Sequence, residues 1–193
     1  MNKRSILATA LGIALGAVAF IPPAAMAADG TITINGQLTA ATCSVAVNGG
    51  SNGNATVTLP TMQTSDFSTT GTAAGYTPFT IALSGCSAGS STPAVTKVVP
   101  YFEQGPTTDM GTGYLTNNAS SNGSNVEVML STGNSISTAL KLQNPVASQG
   151  STAQSITGGN NPSFTYYASY ISAKAAATAG VVNTSVQYDL SYQ

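Results

Sequence analysis

The 193-residue chain carries 5 basic and 6 acidic side chains, for a formal net charge of −1. So few cations give it no electrostatic footprint for nucleic acid or for an anionic membrane surface. Histidine is absent, which excludes histidine-based triads, general bases and metal ligands, and no cofactor is implied.

At the start of the chain, Lys3 and Arg4 precede an apolar run from Ile6 to Ile21, followed by Pro22, Pro23 and the small-residue sequence Ala25-Met26-Ala27. The run falls short of the roughly 20 residues that a bilayer-spanning helix needs. Residues 1–27 are therefore expected to be a secretory signal peptide cleaved after Ala27. Its removal leaves Lys97, Lys141 and Lys174 against six carboxylates. The remainder suits one domain with a real core.

The next segment alternates. Ala28, Gly30, Ile32, Ile34, Gly36 and Leu38 share one parity and polar residues fill the other, so Thr31–Leu38 reads as a one-sided strand. Alternation alone does not decide whether this strand completes its own domain or another molecule. Further strands are predicted at Thr42–Val47, Ala55–Leu59, Pro78–Leu83, Lys97–Phe102, Val126–Ser131, Phe164–Ile171 and Val181–Tyr192. Turn-forming stretches such as NGGSNGN (48–54) and TGGNNP (157–162) separate them. Two segments, around Ser137–Leu142 and Ala173–Ala179, could pass for helix; in the second, Ala175–Ala177 is helix-prone, but the flanking strand patterns and Gly180 favour a connecting loop or single turn. The chain reads as all-β.

Cys43 and Cys86 are the only cysteines. In an exported chain an even count is read as one disulfide, with two free core thiols as the other option. Closing such a loop contributes roughly 3–4 kcal/mol in the chain-entropy model.

In the strand Phe164–Ile171, alternation sends Phe164, Tyr166, Ala168 and Tyr170 to one side, which favours core packing over a sugar-stacking face. The carboxylates are scattered, without a catalytic pair or a calcium loop, and Glu103 and Asp109 read as solvating a Gly-Pro turn. An enzyme is not expected. At the C-terminus Val182, Thr184, Val186, Tyr188, Leu190 and Tyr192 alternate with polar or exposed partners, giving a long half-buried last strand after Gly180.

With these segments in view, the chain resembles the major shaft subunits of chaperone–usher fimbriae, the type 1 and type 3 fimbrial proteins. TITINGQLTAATCSVAVNG, TPFTIALSGC, VVPYFEQG, VEVMLSTGN and FTYYASY through GVVNTSVQYDLSYQ carry the resemblance across nearly the whole chain after Ala27. Gly180 and Tyr192 stand where the family has its C-terminal glycine and penultimate tyrosine.

The resemblance implies an immunoglobulin-like β-sandwich lacking its last strand, completed by a donor strand from a neighbouring subunit. Residues 28–35 would be the donor extension, with Ala28, Gly30, Ile32, Ile34 and Gly36 facing the neighbour, and 36–193 the pilin domain. The C-terminal strand, from Gly180 through Tyr192, would serve chaperone recognition. Implied partners are identical subunits head to tail, a periplasmic chaperone and an outer-membrane usher, with a host or abiotic surface beyond them. The chain would pass through the periplasm to a cell-surface fimbria serving adhesion and biofilm formation. The alternative is a self-contained secreted β-sandwich binding module, a tip lectin or coat protein, whose first strand folds back into its own sandwich.

Overall fold

The computed structural model describes residues 33–193 apart from 35, 91, 120 and 122. The expected signal peptide and Ala28, Gly30 and Ile32 lie outside the described residues. Seven strands form: β1 (Thr42–Val47), β2 (Ala73–Ser87), β3 (Lys97–Phe102), β4 (Glu127–Ser131), β5 (Gln154–Ser155), β6 (Ser163–Ile171) and β7 (Tyr188–Tyr192). All strand pairings are antiparallel, in a four-stranded sheet of order β1-β2-β6-β4 and a three-stranded sheet of order β5-β3-β7. Among the described residues the only helical pieces are four short 3-10 turns, and no helix is long and apolar enough to cross a membrane.

The core lies between the two sheets, and period-two alternation fills it from each side. Phe79, Ile81 and Leu83 of β2 and Phe164, Tyr166 and Ala168 of β6 are buried against Val98 and Phe102 of β3. Tyr166 meets Phe102 edge-on, with ring centroids 5.0 Å apart. Its hydroxyl lies 3.0 Å from Ser151 Oγ, and burial pushes the phenol up to about 12. Alternation along Phe164–Ile171 is therefore used for packing, as expected.

Cys43 and Cys86 form a disulfide that joins β1 to the end of β2, with Cα atoms 4.2 Å apart. The predicted β1 and β3 coincide with the observed strands. Asn48 (φ 51°) and Gly49 (φ 73°) end β1, because only such residues take left-handed backbone cheaply. β2 begins earlier than the predicted Pro78, because the chain passes through an irregularity between Ala74 and Thr77 and continues pairing with β6. Gly75 sits there with φ 76°, and a Cβ on it would lie 3.2 Å from the Tyr170 ring.

Three expectations are corrected. Ala55–Leu59 is not a strand, since it pairs with no described residue, although Val57 and Leu59 remain half-buried. The C-terminal ladder covers only Tyr188–Tyr192, and residues 182–187 run outside any ladder. In the predicted strand Thr31–Leu38, the described residues 33, 34 and 36–38 belong to no strand, and Ile34 and Leu38 are 90% and 98% exposed. The segment near Ser137 is a single 3-10 turn, and that near Ala173 is a run of bends, the loop anticipated there.

Candidate functional site

The site begins with the hydrogen bonds that the C-terminal segment makes and those it does not. Gln193 exchanges main-chain bonds with Lys97, and Glu103 N–H donates to Gln187 O at 2.9 Å. Odd-numbered main-chain groups therefore face β3, and alternation turns the even-numbered ones to the opposite side. There, among the described residues, β7 has no strand beside it. Upstream, the odd-numbered carbonyls are also taken on the outer side, whereas Val182, Thr184 and Val186 make no main-chain hydrogen bond to any described residue. Among the described residues, 182 to 190 thus present one continuous unpaired edge, and a buried unpaired edge is costly.

The same even-numbered residues send their side chains toward the core. Val182, Thr184, Val186, Tyr188 and Leu190 are half-buried, while the odd-numbered residues between them are exposed. Opposite them runs the stretch 54–59, where Val57 and Leu59 are half-buried in the same fashion. Between these rims lies a cleft of about 1180 Å³ whose floor includes Phe79, Ile81, Phe102, Leu115 and Leu130. It exceeds the roughly 300–1,000 Å³ usual for small-molecule pockets. An apolar floor between two unpaired extended segments has the shape of a missing strand.

Polar groups mark its limits. Tyr188 Oη donates to Gly53 O at 2.8 Å, tying the two rims together at one end of the cleft, and burial raises this phenol. The hydroxyl of Thr184 is buried without a hydrogen-bond partner. Tyr192 pairs with Val98 across β7 and β3. Burial raises its phenol. Gly180 lies exposed in the bend that precedes the unpaired edge.

The structure brings Val182, Thr184, Val186, Tyr188 and Leu190 together on the cleft and sets Tyr192 at its sheet junction. Of the extension, Ile34 is described and exposed, and a Cβ on Gly36 would meet nothing within 4 Å. Sequence reading missed that 54–59 forms the second rim, and that side chains bond the outer side of the first, Thr107 to Ser185 O and Asn117 to Val181 O. A polar side chain bonding main chain far away in sequence leaves no periodic signal.

The carboxylates are also less scattered than the sequence indicated. Asp109 and Glu127 both pair with Lys174, and the hydrogen bond and charge of Asp189 raise the Glu103 carboxyl. No group of metal-ligating side chains gathers among the described residues.

Comparison with known proteins adds four findings. The family model described as type-1 fimbrial protein, A, matches residues 59–193. The major fimbrial subunit SMF-1 of Stenotrophomonas maltophilia is 42% identical over 178 residues, covering 91% of this chain and 99% of the relative. The F17 fimbrial protein of Escherichia coli is 41% identical over 173 residues, covering 88% and 91%. In three dimensions, a chain from a chaperone–usher pilus structure superposes with a TM-score of 0.54 at 16% identity, over 86% of this chain and 96% of its own. At that identity the match speaks for the fold, an immunoglobulin-like sandwich.

Proposed function

The chain belongs to the type-1 fimbrial protein family, whose members are structural subunits of fimbriae rather than enzymes, and from that premise we propose that its unfilled cleft accepts a strand from another copy of itself. The carrying observation is the coincidence of an unpaired main-chain edge and an apolar floor along one face of residues 182–190. Strand addition to an exposed edge supplies main-chain hydrogen bonds for affinity and alternate side-chain sites for register. At about 3.3 Å per residue the edge is about 30 Å long, the length that the nine residues 28–36 would span when added to it as a strand.

In this reading residues 28–35 are the donor extension and 36–193 the acceptor domain. Ala28, Gly30, Ile32, Ile34 and Gly36 face the neighbour's cleft, and burying each isoleucine contributes roughly 1.5–3 kcal/mol. One donor and one acceptor on different parts of the same subunit make a head-to-tail contact that does not close, so the product is a fibre. A periplasmic chaperone protects the cleft before assembly, reading the edge between Gly180 and Tyr192, and an outer-membrane usher directs the exchange. The fibre stands on the cell surface and serves adhesion and biofilm formation. The high exposure of Leu38, an apolar residue of the alternating run, supports an intermolecular use over a self-contained module.

The test uses two variants. Ile32→Asp places a carboxylate in the apolar cleft of the neighbour, where it must be desolvated or protonated. Cells carrying it are expected to accumulate chaperone-bound subunit and display no filaments by electron microscopy. A chain with residues 29–36 fused after Gln193 through a flexible linker is expected to fold as a monomer without chaperone. Wild-type filaments from Ile32→Asp would refute the donor role.

A further inference from the structure

We propose that Thr107 and Asn117 are positioning residues for strand addition, holding the acceptor edge at 181–187 extended while its inner side is empty. The inference rests on the strand-acceptor reading and deepens it.

An extended segment with one side unpaired needs its other side fixed. β3 supplies that only as far as the bond between Glu103 and Gln187. Beyond it, groups from irregular chain take the place of a strand. Thr107 Oγ1 donates to Ser185 O at 2.6 Å. Asn118 N–H donates to Asn183 O at 2.7 Å.

Asn117 uses both ends of its amide. Its Nδ2 donates to Val181 O and to Ser124 O, each at 2.8 Å, while Oδ1 accepts from Asn183 N–H at 2.9 Å and Ala119 N–H at 3.0 Å. Every odd-numbered carbonyl from 181 to 187 is therefore occupied on the outer side, and every even-numbered group in that stretch is left to the cleft.

The supports are themselves fixed. Thr107 is 6% exposed, and its carbonyl accepts from Thr116 N–H at 2.7 Å. Asn117 is half-buried. A planar amide bonded at both ends has one geometry, so it sets both the position and the direction of Val181 and Asn183. Without these bonds the edge samples other conformations, and only the extended fraction can receive a strand.

The mature chain, refolded at nanomolar concentration so that self-assembly is slow, is mixed with a labelled peptide of residues 28–38, and both rate constants are measured. Thr107→Val and Asn117→Ala are each expected to slow association by about tenfold and leave dissociation unchanged, as a reduced competent fraction requires. Thr107→Ser keeps the hydroxyl and is expected to restore the wild-type rate. Hydrogen exchange in β2 and β6 should be the same in all four chains, which separates positioning from general loss of stability.

If Asn117→Ala does not fold, the Thr107 pair decides alone. Association at the wild-type rate in Thr107→Val, or an equal defect in Thr107→Ser, overturns the positioning role. Failure of the wild-type chain to bind the peptide overturns the strand-acceptor reading and the positioning role with it.

Discussion

Lys174 bonds the Asp109 carboxylate and lies 3.1 Å from Glu127 Oε1. The sequence placed Asp109 on a solvated turn, because pairs distant in sequence have no local signature. In the fold its carboxylate also accepts from Gly111 N–H at 2.8 Å, and Glu127 is 5% exposed and accepts from Thr112 Oγ1 at 2.7 Å. Lys174 first, and then the Gly111 N–H, hold the Asp109 carboxyl down from 3.8 to about 2. A carboxylate depressed in the folded state stabilises it above the unfolded value, and that stabilisation is lost as pH falls through the folded one. Lys174→Ala is therefore expected to lower folding stability at neutral pH. The gap from wild type should close as pH falls from 3.8 to about 2. Salt should narrow it, since Lys174 is 62% exposed. Denaturant titrations across pH measure this, and a gap that persists at pH 2 contradicts the linkage.

Among the elements, the two edges of the three-stranded sheet are treated differently. On the β5 side, β3 pairs only at Lys97 and Val98. Pro100 has no N–H to offer, and the buried Gln149 side chain donates to Phe102 O at 2.8 Å and accepts from Phe102 N–H at 2.9 Å. That edge is closed by a proline and an amide, whereas the β7 edge is open. Gln149→Met preserves volume and orphans two buried main-chain groups, and it is expected to cost about 2–4 kcal/mol. Denaturant unfolding of the self-complemented chain checks it, and a loss within about 0.5 kcal/mol, the usual range for surface changes, would argue against the closure. The same logic explains what the sequence revealed. β1 and β3 were legible because alternation and turn residues mark both their ends. Ala55–Leu59 and residues 182–187 alternate just as clearly, yet form no ladder, because alternation records which side faces a core and not whether a partner is present. The groove was legible only through family resemblance, while Gln149, Thr107 and Asn117 act through contacts that no local pattern announces.

For the whole molecule, an unfilled cleft makes stability depend on its occupant. Anything that binds only the folded chain raises stability by mass action, about 2.7 kcal/mol at a hundredfold excess over Kd. The thermal midpoint of a chain of residues 28–193 is expected to climb with the concentration of a peptide of residues 28–38, while that of the chain carrying residues 29–36 fused after Gln193 stays fixed. Equal responses would contradict a single acceptor cleft. The disulfide carries a mechanical consequence at this scale. In a head-to-tail fibre a pull on the extension enters each subunit ahead of Cys43 and passes through sulfur directly to Cys86 on β2. The loop between them, with a sequence separation of 43 residues, is taken out of the line of tension. At about 3.3 Å per extended residue, a subunit without that bond could lengthen by about 140 Å more before the load reached β2, so the bridge limits how far each link of the fibre can stretch.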